Sequence, residues 1–516
     1  MTPITALRHQ AETRPESTAF VMGDDVWSYA RFASEVDRLA RGLVARGLRR
    51  GDRVALHLWN GPELAVAYHA CFRIGAIAAP LNTRLKPAEL DTLLRRLRPA
   101  LYIGQANLYA KVAGADPMNL PVNARFLVDG GVTDLRVQPW TRLFTDVVGG
   151  SLPAVTDMGA PALLLTTSGT TGEPKFVAHT LETLGKTTEG SQHLGFESGH
   201  IVVCAVPMVH ASGVFTFLSG IRQGMPLILF PQFDAEAVLD AIAPHRCSLI
   251  IGLPFMFVAL FEAQRARPRR VDSLRLCLTG GDVCPLWLQE SFPTRFGTPL
   301  RSIWGASETI GSLTYSLQPG PVHRIVTGAQ LRLIDDRGAP VPRGHVGELI
   351  LRGPNVTIGY WAGPGRIEGL GKDGWYHTGD LMRQDEKGDL WFVSRKKDLI
   401  IRGGSNIAPA EVERVLAAHP AVRDAGVVGV PDAVLGQRVA GFVQLANGAQ
   451  SVTAGEILAD ISGQLADYKL PESLIITDEI PRNTLGKIDR RRLLAMLPAN
   501  TAQGPTVLRI AARGGR

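Results

Sequence analysis

Hydrophobic positions in the first hundred residues alternate between helical and strand spacing. After Ser28, a residue type that caps helices, apolar residues recur on one helical face from Phe32 to Leu43, and Gly47 ends the pattern. Strands are then predicted at residues 53–58, 77–81 and 100–103, and helices at residues 63–74 and 87–97. This alternation predicts sheets covered by helices.

The pattern changes twice further along the chain. Residues 163–392 contain short apolar strands between Gly-rich and Pro-rich loops, and they belong with the first part as one large body. After a charged patch at residues 394–398 the alternation restarts, with helices near residues 410–419, 454–465 and 489–496 and strands near residues 422–430, 441–445 and 474–477.

The predicted fold class is therefore α/β, with two domains. A large N-terminal domain of helix-covered sheets spans residues 1–396, and a small, mobile C-terminal domain of mixed α and β structure spans residues 397–516. A chain of 516 residues with 45% apolar content exceeds the usual size of one domain. The last segment, residues 498–516, is rich in Gly and polar residues, and we expect it to be loosely ordered.

One apolar run, residues 249–261, raises the question of a membrane span. Gly252 and Pro254 interrupt it, and it is shorter than the roughly 20 helical residues that cross a bilayer. We expect a buried strand and a turn. The N-terminus lacks the features of a secretory signal, which predicts a cytoplasmic protein.

Charge and cysteine content narrow the class of function. The formal charge of +7 comes from arginines spread along the chain, without the concentrated face or motif of a nucleic-acid-binding protein, and an anionic small substrate explains the excess as well. The five cysteines are scattered without zinc or disulfide spacing, so we expect them to be reduced, buried and structural.

The strongest local signal lies at residues 163–175, with the sequence LLLTTSGTTGEPK. An apolar strand runs into a loop of hydroxyls and glycines that ends at Lys175, and such a loop can wrap a polyphosphate. It is not a Walker loop, and the nearby Gly185-Lys186-Thr187 fails as one because Thr180 occupies the position that requires Gly. Taken alone, a loop of this composition is more often an ordinary turn.

Residues 167–175 resemble the phosphate loop of the adenylate-forming superfamily of acyl-CoA synthetases, adenylation domains and luciferases. Four further blocks follow in that family's order: WGASE at 304–308, YHTGD at 376–380, Arg395 and Lys397 before GGSNIAP at 403–409, and PRNTLGK at 481–487. Five ordered blocks identify the chain as a member even though single motifs mislead.

The resemblance implies an ATP site. It comprises Thr167, Ser168, Gly169, Thr170, Thr171, Gly172, Lys175, Gly280, Gly281, Asp282, Trp304, Gly305, Ala306, Ser307, Asp380 and Arg395. In this assignment the face of Trp304 stacks on adenine, with Gly280 to Asp282 on the other side. Asp380 and Arg395 bind the ribose. Outside the motifs, a core tryptophan and two common turns would be the simpler interpretations.

The resemblance also implies catalytic and metal-binding roles. Glu308, together with Thr170, holds Mg²⁺ beside the ATP phosphates. Lys487 approaches the α-phosphate where negative charge accumulates. His210 gates or orients the substrate carboxylate, although a satisfied core histidine is equally consistent with the sequence. An isolated lysine or glutamate would be assigned to the surface, so these roles depend on the motifs.

The implied reaction has two steps. A carboxylic acid attacks ATP to give an acyl-adenylate and diphosphate, and the thiol of CoA then displaces AMP. In similar enzymes the small domain rotates between the steps. Lys397 lies at the family's hinge position, and Gly403 and Gly404 would then line the thiol tunnel.

The acid is only loosely constrained. By resemblance the acyl pocket includes Val209, His210, Phe215, Phe255, Gly305 and Gly311. These mainly apolar residues favour a fatty or aromatic monocarboxylic acid, and the region lacks the aspartate with which amino-acid-activating relatives pair the substrate amine. A dicarboxylate such as malonate is left open.

Two other functions are consistent with the same motifs. The acceptor thiol can belong to a carrier-protein phosphopantetheine arm instead of CoA, and a non-catalytic nucleotide-binding scaffold would also retain the fold. The sequence leaves a homodimer open. It departs from the common family pattern at Trp304, Ser307 and Ser394, and at Phe176, a bulky residue in place of glycine that can alter the mobility of the phosphate loop.

Overall fold

The structure is a computed structural model that describes residues 1–130, 134–145, 152–168, 174–316, 319–320, 322–325, 329–371, 373–402, 405–432, 434–449, 451–483, 486–497 and 507–509. The predicted loop residues Gly169, Thr170, Thr171 and Gly172 lie outside these ranges. So do Gly403 and Gly404 of the predicted thiol tunnel and most of the C-terminal segment predicted to be loosely ordered.

The α-helices in these ranges are α1 Pro3–Thr13, α2 Tyr29–Ala45, α3 Pro62–Ile74, α4 Pro87–Leu97, α5 Ala106–Tyr109, α6 Leu181–Gly190, α7 Ala211–Gln223, α8 Ala235–His245, α9 Pro254–Ala266, α10 Leu286–Phe296, α11 Pro409–Ala417, α12 Ala454–Ile461 and α13 Arg490–Ala495. Short 3₁₀ helices occur at Val122–Ala124, Trp140–Leu143, Ser191–Leu194, Lys396–Asp398 and Asp467–Lys469. None of the helices in the described part of the chain combines the length and apolar character that a membrane span needs.

The strands are β1 Thr18–Met22, β2 Asp25–Ser28, β3 Arg53–His57, β4 Ile77–Pro80, β5 Leu101–Gly104, β6 Arg125–Leu127, β7 Val137–Pro139, β8 Pro161–Ser168, β9 Pro174–Thr180, β10 Val202–Cys204, β11 Leu227–Leu229, β12 Leu249–Gly252, β13 Leu276–Gly280, β14 Leu300–Gly305, β15 Ser312–Tyr315, β16 Val322–Ile325, β17 Gln330–Ile334, β18 Val346–Arg352, β19 Gly359–Gly363, β20 Arg366–Glu368, β21 Tyr376–Gln384, β22 Leu390–Arg395, β23 Ile400–Arg402, β24 Ser405–Ile407, β25 Val422–Asp432, β26 Gly436–Leu445, β27 Ser473–Thr477 and β28 Val507–Arg509.

These strands form three sheets. The first runs in the order β17-β18-β21-β22-β16-β15-β14-β13-β12-β10-β11-β1-β2, and the second in the order β20-β19-β9-β8-β4-β3-β5-β6-β7. The third contains β24-β23-β26-β27-β28, with β25 paired to β26. No strand after residue 399 joins either of the first two sheets within the described residues, so the chain ends in a separate small body.

The centre of the first sheet is parallel, from β11 through β10, β12 and β13 to β14. Strands covered on both faces read as continuous apolar runs, and β12 and β13 have this character. Antiparallel strands flank this centre, including the β21–β22 pair in which Asp380 lies directly opposite Arg395. The parallel centre therefore gives the sheet one edge where all its carboxyl ends meet.

Local sequence signals explain several elements. The Ser28 hydroxyl accepts a hydrogen bond from the Arg31 amide at 3.2 Å and begins α2, and its periodic residues Phe32 to Leu43 are buried. The predicted helix at residues 87–97 is α4, with Pro87 at its first turn. The five cysteines are buried and unpaired, as predicted.

The interpretation of residues 249–261 was only half right. The strand β12 is present and buried, but the segment after it forms helix α9 rather than a turn. Pro254 occupies the first helical turn, where its missing N–H leaves no helical hydrogen bond unmade. The proline that suggested a break thus begins a helix.

Phe176 belongs to the hydrophobic core. Its side chain is fully buried in a core cluster with Leu164, Ala178 and Trp361, and it pairs with Trp361 across β9 and β19. Because β9 alternates its side chains across the sheet, position 176 points into the core. Phe176 therefore anchors the strand after the loop, and its effect on the mobility of the loop stays a prediction.

Truncation of this anchor should destabilise the fold. We expect Phe176→Ala to cost about 3–5 kcal/mol of unfolding free energy, because it removes a buried ring and leaves a cavity. Phe176→Leu should cost less than about 1.5 kcal/mol, since it preserves most of the apolar volume. Urea unfolding of the three proteins measures the difference. A Phe176→Ala protein of unchanged stability but altered ATP affinity would contradict the structural role and favour an effect on the phosphate loop.

Candidate active site

Three adjacent parallel strands end in glycine at one edge of the first sheet. These are β12, β13 and β14, which end at Gly252, Gly280 and Gly305. A Cβ on Gly280 would lie 2.6 Å from Ile303 Cγ1, and Gly281 has a φ of +86°, so side chains are excluded where the chain turns. Ligands of open α/β sheets bind beyond the carboxyl ends of such strands. This edge is therefore the expected position of the ligand-binding site.

A buried carboxylate lies beside this edge. Asp380 Oδ2 accepts a hydrogen bond of 2.8 Å from the indole N–H of Trp304, and Arg395 Nε lies 3.1 Å from Oδ1. Trp304 is only 8% exposed, because its ring packs with Leu349, Tyr376 and Met382. Trp304 therefore orients the carboxylate predicted to bind ribose. Its stacking on adenine stays a prediction.

The turn that carries Asp380 is held on several sides. The Asp380 amide donates to Thr378 Oγ1 at 3.0 Å, and the Gly379 amide donates to Glu348 Oε1 at 3.2 Å. Lys396 Nζ donates to the other oxygen of Glu348 at 3.1 Å. This network fixes the carboxylate before any ligand binds, which reduces the ordering cost of binding.

Glu308, Tyr360 and Lys175 form a second polar group. The Tyr360 hydroxyl donates to Glu308 Oε1 at 3.0 Å, and Lys175 Nζ lies 5.5 Å from the centroid of the Tyr360 ring. Burial, and then the Glu308 carboxylate, raise the pKa of Tyr360 well above its usual value, so Tyr360 stays a donor. The phenol thus brings the predicted metal-binding carboxylate and the predicted phosphate-binding ammonium together.

The donor set around Glu308 suits Mg²⁺ with bound phosphates. Glu308 is buried, and Tyr360 occupies one of its two carboxylate oxygens. The described residues contain no cluster of three or more His, Cys, Asp or Glu side chains that would form a protein-only metal cage. Magnesium is usually held by one or two carboxylates plus substrate phosphates and water. The predicted partner Thr170 lies outside the described residues.

A neutral histidine supports the segment before Glu308. His179 Nε2 lies 2.8 Å from the Ser307 carbonyl oxygen, so Nε2 carries the proton and donates. Burial lowers the pKa of His179 to about 4, which keeps the ring neutral at physiological pH. A hydrogen bond to the carbonyl of Ser307 positions the predicted nucleotide-binding segment without adding charge.

The segment after Glu308 contains a strained residue. Ile310 has a φ of +51°, a left-handed conformation that β-branched residues rarely adopt, and its side chain is fully buried. At Gly311 an added Cβ would lie 2.8 Å from Thr187 Cγ2 and 3.1 Å from Phe215. Tight packing around Ile310 and Gly311 holds the backbone in this strained conformation. Backbone strain of this kind is typical of functional sites.

The predicted acyl-binding residues Val209, His210 and Phe215 lie in or just before α7, and Phe255 lies at the start of α9. Val209 and Phe215 are buried, and Phe215 packs on Phe196 at a centroid distance of 5.3 Å. His210 precedes α7, and burial, with a contribution from Arg84, lowers its pKa to about 4. A neutral His210 can donate one hydrogen bond to a carboxylate but offers no charge. Phe255 lies at the start of α9 and packs edge-on against Phe233.

Lys487 reaches this site from the small body. Burial, and then the Arg395 guanidinium, lower the pKa of its ammonium, while the carboxylates of Asp282 and Asp380 oppose that shift. The residues beside Lys487 contact the large body: an added Cβ on Gly486 would lie 2.3 Å from Phe255 Cδ1, and Arg482 Nη1 lies 4.0 Å from Asp282 Oδ2. The lysine therefore lies where the two bodies meet.

Most of the predicted site is brought together by this arrangement. Gly280, Gly281, Asp282, Gly305, Ala306 and Ser307 occupy the edge, and Thr167 pairs with Lys175 across β8 and β9. Ser168 ends β8, and the loop from 169 to 173 lies outside the described residues. Sequence reasoning missed Tyr360, His179 and Ile310. These residues lie outside the recognised motifs, so the sequence alone provided no signal for them.

Comparisons with known proteins identify the family of the chain. The family model for the AMP-binding enzyme matches residues 7–361, and the model for the AMP-binding enzyme C-terminal domain matches residues 411–487. The indoleacetate–CoA ligase of Aromatoleum aromaticum is 32% identical over 504 residues, which are 95% of this chain and 97% of that protein. The feruloyl-CoA synthase of Amycolatopsis sp. is 33% identical over 493 residues, 93% of this chain and 96% of that protein.

A solved structure extends the comparison to the fold. The O-succinylbenzoate coenzyme A synthetase from Bacillus subtilis, solved in complex with ATP and magnesium ion, matches with a TM-score of 0.79 and 29% sequence identity. The match covers 95% of this chain and 98% of that chain. It confirms the predicted fold class of a large N-terminal body and a small C-terminal α/β body.

The fold and the site together define an adenylate-forming enzyme, with a nucleotide edge on one body and a cation supplied by the other. The chain belongs to the AMP-binding enzyme family, as both family models show. The predicted superfamily is thereby confirmed, and so is the predicted class of acid–thiol ligase.

The lowered pKa of Lys487 has a consequence for activity. Because the ammonium loses its proton at lower pH than an ordinary lysine, we expect acyl-adenylate formation to fall on the alkaline side before free lysine would titrate. A Lys487→Arg variant keeps its charge at these pH values, so its smaller residual rate should lack this fall. Single-turnover adenylate formation measured from neutral to alkaline pH records both profiles.

Thioester formation from a supplied acyl-adenylate serves as the control for this pH profile. It should not show the same alkaline limb, because Lys487 acts in the first step. An identical limb in both half-reactions, or in the Lys487→Arg variant, would contradict the assignment of the titration to Lys487.

Proposed function

We propose that this protein is an acid–CoA ligase for aromatic monocarboxylic acids, with an acyl-adenylate as its intermediate. The single observation that carries this proposal is the contact of the segment around Lys487 with the large body, where Gly486 packs on Phe255 and Arg482 Nη1 lies 4.0 Å from Asp282 Oδ2. A binding scaffold has no need for a desolvated cation at the nucleotide edge. The relatives named as indoleacetate–CoA ligase and feruloyl-CoA synthase support an aromatic acid and CoA.

In the first step, a carboxylate oxygen of the acid attacks the α-phosphorus of ATP. A new oxygen–phosphorus bond forms, the bond to the diphosphate oxygen breaks, and negative charge grows on the α-phosphate oxygens and the leaving group. Lys487 stabilises the α-phosphate charge, and Lys175 faces the leaving phosphates. Asp380 and Arg395 hold the ribose, so that the phosphorus is fixed relative to the acid.

Magnesium fits beside Glu308. The carboxylate would hold the ion with the phosphate oxygens, and the ion supplies positive charge that weakens the bond to the leaving diphosphate. Tyr360 donates to Glu308 Oε1 at 3.0 Å and so orients the carboxylate without neutralising it. Thr170 is the second residue proposed for this ion.

In the second step, the CoA sulfur attacks the acyl carbon and the carbon–oxygen bond to AMP breaks. Lys487 has no role in that chemistry, and we propose that the small domain begins at residue 397 and turns there between the steps. Lys397 lies within the 3₁₀ turn Lys396–Asp398, between the last strand of the large body and the first strand of the small body. Gly403 and Gly404 are the proposed lining of the thiol tunnel.

The acid is proposed to lie between α7 and α9. Phe215 and Phe255 provide apolar surface there, and Gly305 and Gly311 leave the backbone bare. Neutral His210 can donate to the acid's carboxylate without forming an ion pair, so the nucleophile is not held back by a fixed positive charge. A mainly apolar lining with one donor suits a flat monocarboxylic acid.

A panel of acids tests this function. Purified protein with ATP, Mg²⁺ and CoA is offered indole-3-acetic, ferulic, benzoic, hexanoic and malonic acids and an amino acid, and the release of diphosphate and the formation of CoA thioesters are measured. We expect the aromatic acids to react fastest and CoA thioesters to accumulate. Lys487→Ala should lower acid-dependent diphosphate exchange by about 100-fold or more.

Other outcomes of this panel identify the alternatives. Thioester formation only on a phosphopantetheinylated carrier protein, with none on CoA, would replace the CoA acceptor. A preference for malonic acid or for the amino acid would overturn the aromatic assignment. An unchanged exchange rate in Lys487→Ala would favour a scaffold or a different chemistry.

The hinge proposal predicts a separation of the two half-reactions. Proline at position 397 restricts the backbone torsion that a turning domain must change, so Lys397→Pro should leave adenylate formation within a few-fold and lower thioester formation by about 100-fold. The first step is measured by diphosphate exchange and the second from a supplied acyl-adenylate. Lys397→Ala is the matched control, since it removes the charge but keeps the torsion, and it should affect neither step strongly. Equal loss of both steps in Lys397→Pro would count against the hinge.

A further inference from the structure

Lys487 is carried by two short segments that pair with each other, residues 481–483 and 486–489, which we call the lysine hairpin. Arg482 and Ile488 form an antiparallel bridge, and the Asn483 amide donates to the Lys487 carbonyl at 2.8 Å. The Lys487 amide donates to Asn483 Oδ1 at 3.1 Å, and the Gly486 amide donates to the Asn483 carbonyl at 2.9 Å. The backbone of the catalytic lysine is therefore fixed within the hairpin itself.

The hairpin is seated closely on the large body. A Cβ on Gly486 would lie 2.3 Å from Cδ1 of Phe255, and Gly486 has a φ of +77°. Both facts require glycine at this position. This contact with the Phe255 ring is apolar, so it brings the hairpin close to the large body without a hydrogen bond that would fix the hairpin's orientation.

The guanidinium of Arg482 supplies polar contacts in three directions. Nη1 donates to the Gly486 carbonyl at 3.0 Å, and Nη2 donates to Asp424 Oδ2 on β25 at 2.8 Å. Nη1 also lies 4.0 Å from Asp282 Oδ2 in the large body. One planar fork thus joins the hairpin, the sheet of the small body and the nucleotide edge, a geometry that lysine cannot reproduce.

Asp282 has an unsatisfied oxygen that faces this fork. Its Oδ1 accepts a hydrogen bond from the Val283 amide at 2.9 Å. Its Oδ2 is buried and accepts no hydrogen bond from any residue within the described ranges. A buried carboxylate oxygen is costly unless a cation compensates it. Arg482 Nη1 of the small body lies 4.0 Å from this oxygen, and the Asp282 carboxylate also acts electrostatically on the Lys487 ammonium.

We propose that Arg482 is a positioning residue for Lys487, and that it couples the shape of the lysine hairpin to the docking of the small body on Asp282. The proposal rests on the proposed function. The contacts of Arg482 with Asp424 and Gly486 lie within the small body and persist when that body turns. The Asp282 interaction crosses between the bodies and is lost. Arg482 should therefore matter for adenylate formation and not for thioester formation.

Replacement of Arg482 tests this directly. Arg482→Gln should lower kcat for acid-dependent diphosphate exchange by about 10-fold to 100-fold, because a displacement of Lys487 by about 1 Å is enough for such a loss. KM for ATP should change by less than about 3-fold, because within the described residues Arg482 approaches the proposed ATP site only at the Asp282 carboxylate, 4.0 Å away. Thioester formation from a supplied acyl-adenylate should stay within about 3-fold of wild type.

Two further variants locate the effect. Arg482→Lys keeps the charge near Asp282 but loses the fork, so its rate should fall between those of wild type and Arg482→Gln. Asp282→Asn should lower the same kcat, and the double variant should lose less than the product of the two single losses, because both changes remove one interaction. Arg438→Gln is the matched control, since Arg438 pairs with Asp432 and Glu472 inside the small body. It should leave both half-reactions unchanged.

Several outcomes would overturn the proposal. An unchanged exchange rate in Arg482→Gln, or an equal loss in both half-reactions, would reduce Arg482 to no role or to a general structural one. Fully independent losses for Arg482 and Asp282 would remove the coupling between bodies. If Arg482→Gln does not fold, Arg482→Lys and Asp282→Asn decide the same question. A wild-type protein that adenylates none of the acids in the panel would instead sink the proposed function.

Discussion

The interaction on which the site depends is that of one desolvated ammonium with carboxylates it does not share a domain with. Burial disfavours the charge of Lys487, and the carboxylates of Asp282 and Asp380 oppose that effect from the other body. The electrostatic environment of this lysine therefore depends on how the small body docks on the large one.

Around this cation, neutral donors hold the charged groups in place. Trp304 holds Asp380, Tyr360 holds Glu308, and His179 holds the Ser307 carbonyl. Trp304 and His179 are buried and Tyr360 is partly buried, which makes their hydrogen bonds effective in a low-dielectric setting. Burial also keeps His179 and Tyr360 neutral, and an indole carries no charge. Neutral donors orient the charges without cancelling the field that the developing phosphate charge will meet.

Much of this could be predicted from the sequence. Helices with clear periodicity and caps, such as α2 and α4, were found within a few residues because local signals and tertiary packing agree there. Pro254 was misinterpreted because a proline can begin a helix. The burial of Phe176 was not predicted, because the face that a strand residue occupies depends on the register of the strand. Tyr360 and His179 were missed, since their partners lie more than fifty residues away and no spacing links them. Arg482 belongs to a recognised motif, but its contacts with Gly486, Asp424 and Asp282 depend on the tertiary structure and on the docking of the small body on the large one.

The seat of Gly486 on Phe255 ties the volume available to the substrate to the delivery of the lysine. Phe255 belongs to the proposed acid-binding region, and its ring is also the surface on which the hairpin tip lies. Trimming this ring to admit a larger acid would leave the hairpin without support. An acid that pushes the ring outward would lift the ammonium away from the phosphate. The upper limit on acid size would thus be imposed by the second body as much as by the walls of the cavity, and redesign of substrate scope would have to treat positions 255 and 486 as a pair.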